Sequence, residues 1–431
     1  MHQDNISINN RGHLVFAGFD TVELAREYGT PLYVMDERMI RDTIAMYRVS
    51  MENYYQGRGL VCYASKAFSC KHIYRVCREE GIGADAVSMG ELYTAMEAGF
   101  DPALICYHGN NKTPAELEYA LDCGVGRIVA DSFRELDLLE EIAARKGRKA
   151  GILLRLCPGI EAHTHDFIRT GGIDSKFGFA IELGIALEAV EHALSKPHLE
   201  LRGVHAHIGS QIFQLEPFRH EAEVLMGFLA EVRAKTGAVL SDLNLGGGFG
   251  IRYTQADDPV PYGQYMEAVT QTLKETCAGL DYPLPFVIME PGRSIVGAAG
   301  ITLYEIGNRR EIPGVRTYLS VDGGMTDNIR YALYGAEYTF TVANRAGGDK
   351  TLTAAIAGRC CESGDLLAKE ARVQQCGPGD ILAVFSTGAY NYSMASNYNR
   401  VPRPPVVMLL DGTAHLAVRR ESLADLVRND L

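Results

Sequence analysis

Short apolar runs recur along the middle of the chain, each set between longer stretches whose apolar positions repeat at helical spacing. From about residue 36 to 290, helical stretches fall at 38–56, 70–79, 90–98, 114–122, 132–145, 183–194, 217–235 and 261–278. The strand-like runs between and after them are 60–65, 82–87, 103–107, 127–130, 151–156, 201–207, 243–246 and 286–290. Eight such alternations predict an α/β fold built on a (β/α)8 TIM-type barrel. An open doubly wound sheet is the competing architecture, and the polar residues favour the barrel. Lys66, Asp85, His108, Arg155, His207, the glycines after Leu245 and Glu290 all fall at or just past strand C-termini. In a closed barrel those positions converge on one mouth.

The rhythm changes on either side. Residues 1–35 hold polar turns, a short run at 14–16, a helix over 22–28 and a strand at 32–34. After residue 291, strands are expected at 301–304, 316–322, 353–357, 380–385, 406–410 and 414–418, separated by Gly- and Asp-rich turns. The expected division is therefore a barrel domain over 36–290 and a β-rich domain formed by 1–35 together with 291–431.

Composition narrows the function classes. With 42 basic and 54 acidic residues the formal charge is −12, which argues against a general nucleic-acid surface but allows a local pocket for an anion. The ten cysteines form no paired metal-binding spacing, so reduced thiols, no structural metal and a cytoplasmic location are expected. No apolar run is long enough to span a membrane, and the first residues lack a secretion signal.

Five constellations carry candidate chemistry. Val61-Cys-Tyr-Ala-Ser-Lys66-Ala67 ends a small, apolar strand on a lysine, which either snorkels to solvent or serves as an amine that forms an imine with a carbonyl. Gly246-Gly-Gly-Phe249-Gly250 allows close backbone approach to an anion; it lacks dinucleotide spacing and suits a single phosphate, or else a tight barrel turn. His205 and His207 lie two apart on one strand, followed by Ser210; one ring can pack in the core while the other faces a ligand. Glu290-Pro-Gly-Arg293 places a carboxylate where it can hold a proton on a heterocyclic nitrogen, or form an ordinary rim ion pair. Arg155, Lys176, Arg293 and Arg330 suggest a pocket for a substrate with more than one carboxylate.

Taken in order, several motifs resemble the fold-type III, alanine-racemase-like pyridoxal-phosphate decarboxylases. They are Tyr-Ala-Ser-Lys-Ala (63–67), Asp-Ala-Val-Ser (85–88), the block over 163–171, Asp-Ser-Lys-Phe-Gly (174–178), His-Ile-Gly-Ser-Gln (207–211), Gly-Gly-Gly-Phe-Gly-Ile (246–251), Glu-Pro-Gly-Arg (290–293), Cys-Glu-Ser-Gly-Asp (361–365) and the stretch over 388–399. Within that family the likeness is greatest to the branch that acts on meso-2,6-diaminopimelate.

The resemblance implies that Lys66 carries pyridoxal 5'-phosphate, that His207 stacks on its ring and that Glu290 partners its nitrogen. It further implies cofactor contacts from Asp85, Ser210, Tyr390 and the backbone of Gly247, Gly248, Phe249 and Gly250. Arg293, Arg330, Tyr334, Glu362 and Tyr390 resemble substrate binders, and Cys361, with Lys66 as the alternative, resembles the proton donor. Cys361 and Glu362 would enter a neighbouring subunit's site, which implies a homodimer with shared active sites. The expected reaction is decarboxylation at the D centre of meso-2,6-diaminopimelate to give L-lysine and CO2. Decarboxylation of another basic amino acid or a carboxy-polyamine, and racemisation, are the alternatives. Departures at Tyr331, Phe249 and Arg359-Cys360 leave every expected catalytic group in place.

Overall fold

The computed structural model describes residues 5–160 and 175–431. The motif block over 163–171 and Asp174 lie outside the described residues. The chain divides into two compact units, one of residues 42–250 and 259–294, the other of residues 1–41, 251–258 and 295–431.

The first unit is the barrel. Its strands are β1 (Gly59–Ala64), β2 (Gly83–Ala86), β3 (Ile105–Tyr107), β4 (Arg127–Ala130), β5 (Ala150–Cys157), β6 (Leu199–His205), β7 (Asp242–Asn244) and β8 (Phe286–Met289). Each pairs in parallel with its sequence neighbour, and β8 returns to pair with β1, so the sheet closes. Closure leaves no free edge and buries both faces. That is why these strands read as near-continuous apolar runs. Inside, Cys62, Cys106, Val129, Leu153 and Ile288 form a packed layer. All ten cysteines are free thiols, and most are core residues of this kind.

The helices start where their sequences direct. Ser88, Thr113 and Ser132 each accept a hydrogen bond from the backbone N–H three residues on, and Thr113 with Glu116 completes a capping box. These caps end the strand-to-helix connections abruptly, holding the preceding strand ends in fixed positions. One detail differs from the sequence expectation: residues 102–104 make a helical turn initiated by Asp101 and Pro102, so β3 begins only at Ile105.

The second unit centres on a mixed sheet. The long strand Gly300–Ile312 pairs antiparallel with Arg316–Val321, Leu32–Asp36 and Ile381–Phe385. Leu32–Asp36 in turn runs parallel to Val406–Leu410, so the N-terminal segment is built into the C-terminal sheet. A core of Leu14, Phe16, Leu32, Val34, Ile301, Leu303, Phe385 and Val407 joins them. Short strands at Ile6–Ile8 and Phe19–Asp20 escape the sequence pattern, as do two later ones. Leu366–Val373 carries Lys369, Glu370 and Arg372 and alternates imperfectly, and Phe340–Val342 is only three residues long. Among the described residues no helix is long and apolar enough to cross a membrane.

Asp327 is a buried carboxylate in this unit. It accepts from the Tyr304 hydroxyl, from Gly324 N at 3.0 Å and from Thr326 Oγ1 at 3.3 Å. Burial nevertheless pushes its carboxyl up to about 7. A group whose folded value lies above its unfolded value of about 3.9 favours the fold below that value, and its contribution fades as pH rises through 7. Between about pH 4 and 7, Asp327→Asn is expected to flatten the decline of unfolding free energy with pH seen in the parent chain. Chemical denaturation at each pH checks it; parallel curves would count against the assignment.

Candidate active site

Lys66 follows β1 in a single helical turn, Ser65–Ala67, with buried neighbours on both sides. The turn is pinned by carboxylates. Asp85, at the end of β2, accepts from Ser65 N at 2.9 Å, and Glu91 accepts from Ser65 Oγ at 2.9 Å and Val87 N at 2.8 Å. Lys66 itself is exposed, and its ammonium makes no hydrogen bond or ion pair among the described residues. Its charge still acts on Asp85 and on His207. Burial and the nearby Glu290 charge raise the Asp85 carboxyl to about 7, against the pull of His108 and Lys66.

Glu290 stands one residue past β8 and is buried. One carboxylate oxygen lies 2.8 Å from His108 Nε2 and accepts from Asn244 Nδ2 at 2.7 Å; the other lies 3.3 Å from His205 Nε2. Burial alone would raise this carboxyl, but His108 and His205 outweigh it and hold it well below the usual carboxylate range. His205, with its ring edge-on to His108 at 4.7 Å, is pushed down to about 3 by burial. His108, His205 and Glu290 also offer three ligand atoms within 4.8 Å of one another. With the carboxylate already engaged by the rings and an amide, the set reads as a device for keeping an anion buried.

The glycine loop packs directly beneath. Gly246 N donates to Asn244 Oδ1 at 2.9 Å, Gly247 N to His207 Nδ1 at 3.3 Å, and Gly250 N to Ile212 O at 3.0 Å. An Nδ1 that accepts a backbone N–H carries no proton, so the His207 ring is neutral; burial and the Lys66 charge favour the same state. The amides of Gly248 and Phe249 have no partner among the described residues. A Cβ on Gly247 would sit 2.1 Å from Glu290 O, and one on Gly248 would sit 2.5 Å from Gly209 O. Only glycine fits here. The Phe249 ring turns away into a stack on Phe218 at 5.0 Å, so its contribution to the loop is its backbone. Arg293, also buried, donates to Ser210 Oγ from Nη2 at 2.9 Å and Nε at 3.2 Å. A residue expected to read substrate is thus joined to one expected to bind phosphate.

Nearby, Arg155 lies over the Phe177 ring at 4.1 Å and faces Asp131, while Lys112 pairs with Glu135 at 2.8 Å. In the β-rich unit, Arg330 and Tyr334 open and close one short helix, and Tyr390 adopts a left-handed backbone with φ 66°. The loop over 360–365 is held from beneath by Asp365, which accepts from Met325 N at 2.6 Å and Cys360 N at 2.7 Å. Cys361 and Glu362 face solvent above it.

Residues 40–297 match the family described as pyridoxal-dependent decarboxylase, pyridoxal binding domain. Diaminopimelate decarboxylase of Halalkalibacterium halodurans is 50% identical over 425 residues, covering 98% of this chain and 96% of the relative. The Bacillus subtilis enzyme of that name is 49% identical over the same shares of the two chains. The chain belongs to the diaminopimelate decarboxylase family. Among solved structures, diaminopimelate decarboxylase from M. jannaschii in co-complex with L-lysine superposes with a TM-score of 0.91 at 34% identity, covering 99% of this chain and 98% of that one. The Helicobacter pylori enzyme complexed with L-lysine gives 0.86 at 32%, covering 95% and 98%.

The cofactor of this decarboxylase is pyridoxal phosphate, and the residues present fit it. They offer an amine, an ionised carboxylate for a protonated ring nitrogen, a neutral imidazole, and a glycine cradle with two unengaged amides for a phosphate. Of the three groups bonded to Glu290, His108 was read from the sequence only as a residue of the barrel mouth and His205 only as one of a histidine pair, and Asn244 was not a candidate. Their only sequence signal is a position at or next to the C-terminal end of β3, β6 and β7.

Gly247→Ala is expected to weaken pyridoxal phosphate binding by at least about 100-fold, because the methyl group must displace the Glu290 backbone. Cofactor titration followed by visible absorbance checks this, with a melting curve of the cofactor-free chain as the control for folding.

Proposed function

We propose that the chain removes CO2 from the D centre of meso-2,6-diaminopimelate and releases L-lysine. The chemistry rests on one observation above the others: Glu290, buried at the mouth of the barrel and bonded to His108, His205 and Asn244. The substrate rests on near full-length likeness to diaminopimelate decarboxylases.

Pyridoxal phosphate, when bound, supplies the sink for the electron pair left on Cα as the carboxylate departs. Lys66 would hold the cofactor through its amine and is the group placed to release the product. Glu290 keeps a proton on the ring nitrogen; His108, His205 and Asn244 keep Glu290 anionic so that it can do so. The neutral His207 ring covers the cofactor without competing for its charge. Gly248 and Phe249 amides, with Ser210 backed by Arg293, and Tyr390 bind the phosphate. Arg330 and Tyr334 bind the carboxylate of the distal, L-configured end, and Glu362 binds its amine. A substrate lacking those groups leaves buried charge unmatched, which is a strong basis for selection. Cys361 delivers the proton to Cα.

Cys361 and Glu362 serve the partner subunit's site in a homodimer. An exposed pair of functional side chains on a loop fixed from beneath supports this reading, and ten free thiols support a reducing, cytoplasmic setting.

Two measurements test the proposal. Lys66→Ala is expected to abolish CO2 release from meso-diaminopimelate and the visible absorbance of the bound cofactor; release from ornithine or arginine alone by the parent chain would overturn the substrate. Mixing inactive Lys66→Ala and Glu362→Ala chains after dissociation is expected to recover about a quarter of parental activity, since half the random dimers then hold one intact site. No recovery, with mixed dimers demonstrated, would remove the shared site.

A further inference from the structure

Arg330 is 7% exposed, yet it has no carboxylate partner among the described residues. An unpaired buried guanidinium is costly, so what surrounds it is informative. Three tyrosines do. Its Cζ lies 5.1 Å from the Tyr253 ring centroid, 5.7 Å from that of Tyr390 and 5.8 Å from that of Tyr338. Its Nη1 donates to Tyr338 Oη at 2.7 Å and to Tyr253 Oη at 3.2 Å. The Tyr253 and Tyr338 rings meet edge to face at 5.5 Å.

Both phenols are anchored. Tyr253 lies three residues beyond Gly250, in a turn where its N–H donates to Asp257 Oδ2 at 3.0 Å and its carbonyl accepts from Thr339 Oγ1 at 2.9 Å. Thr339 follows Tyr338 directly, so one hydrogen bond ties the two backbones together. All contacts of the guanidinium with protein hydrogen-bond acceptors are on Nη1; Nε and Nη2 have none among the described residues. That pair forms the side-on edge suited to a bidentate carboxylate.

We infer that Tyr338 and Tyr253 are positioning residues for Arg330, fixing its Nη1 so that the Nε–Nη2 edge is presented to the distal carboxylate of the substrate. This rests on the reading of Arg330 given above. Ring faces and phenol oxygens stabilise the cation without neutralising it. A carboxylate in their place would occupy the fork and compete with substrate. The two hydroxyls therefore govern how well a carboxylate-bearing ligand is held, and leave the bond-breaking end untouched.

The test compares two ligands that differ by one carboxylate: L-lysine, which keeps the distal carboxylate, and cadaverine, which lacks it. Inhibition constants for both are measured on the holoenzyme by CO2 release, alongside KM and kcat. Tyr338→Phe keeps the ring and removes the hydroxyl. It is expected to raise KM for meso-diaminopimelate and the lysine inhibition constant together by about tenfold. The expected kcat stays within about threefold, with the cadaverine constant and the cofactor absorbance unchanged. Tyr253→Phe moves the same two constants by a smaller factor, in line with its longer hydrogen bond, and carries the test if Tyr338→Phe does not fold. Equal shifts for lysine and cadaverine, a fall in kcat at constant KM, or no shift in either variant would overturn the inference. Arg330→Ala separates the two layers. If it leaves the lysine constant unchanged, the carboxylate-binding role of Arg330 fails; if it raises that constant while the tyrosine variants do not, only their positioning role fails.

Discussion

A carboxylate held ionised where water cannot reach it is the constraint on which the rest of the barrel depends. Glu290 gains that state from His108 at the end of β3, His205 on β6 and Asn244 on β7, so four strand ends must keep their registers. A shift of one residue in any of these strands would turn the inward side chain outward. Closure of the sheet prevents such shifts, since β8 is bonded on one side to β7 and on the other to β1. The packed layer of Cys62, Cys106, Val129, Leu153 and Ile288 within the barrel fixes the same strands by volume. Fold stability and the charge of one side chain are therefore secured by the same contacts.

The glycine loop follows from that arrangement. Asn244 spends its Nδ2 on Glu290 and its Oδ1 on Gly246 N, so one amide side chain sets both the carboxylate and the start of the loop. Gly247 then passes so close to the Glu290 backbone that a methyl group has no room. Among the described residues the next two amides remain unengaged, while Gly247 and Gly250 turn theirs to His207 and Ile212. One side chain at the end of β7 thus sets both the buried carboxylate after β8 and the course of the glycine loop.

The barrel was legible in the sequence because strands buried on both faces are apolar throughout, and because Ser88, Thr113 and Ser132 mark the helix starts. The β-rich unit was less so. Leu366–Val373 exposes Lys369, Glu370 and Arg372 on a strand that shifts register twice against Leu352–Ala357, which spoils the two-residue period. For the site, residues with their own chemical signature, such as Lys66, Glu290 and the glycine run, could be read directly. The roles of His108, His205 and Asn244 could not, although both histidines were visible as polar residues at strand ends: a residue that acts by holding another has no motif of its own, and its role appears only when β3, β6, β7 and β8 are brought together. Arg330 and Arg293 make the same point. Both are buried arginines beside turns, yet one is bonded to a serine hydroxyl and the other to two phenols.

Asp85 and Glu290 are two carboxylates at strand ends of one barrel, and their environments drive them in opposite directions. Glu290 has two imidazoles and an amide; Asp85 has a backbone N–H and the distant pull of His108 and Lys66, and it feels the Glu290 charge. Two anions this close in a buried site compete for the same cations, and the better-bonded one takes the charge. With its carboxyl raised to about 7, Asp85 can stand either protonated or ionised near neutrality, and it accepts from Ser65 N. Ser65 is the residue before Lys66. The turn that presents the lysine is therefore tied to a carboxyl that responds to the total charge of the site. Any positive group that arrives beside Asp85 favours its ionised form and strengthens the hydrogen bond to the turn.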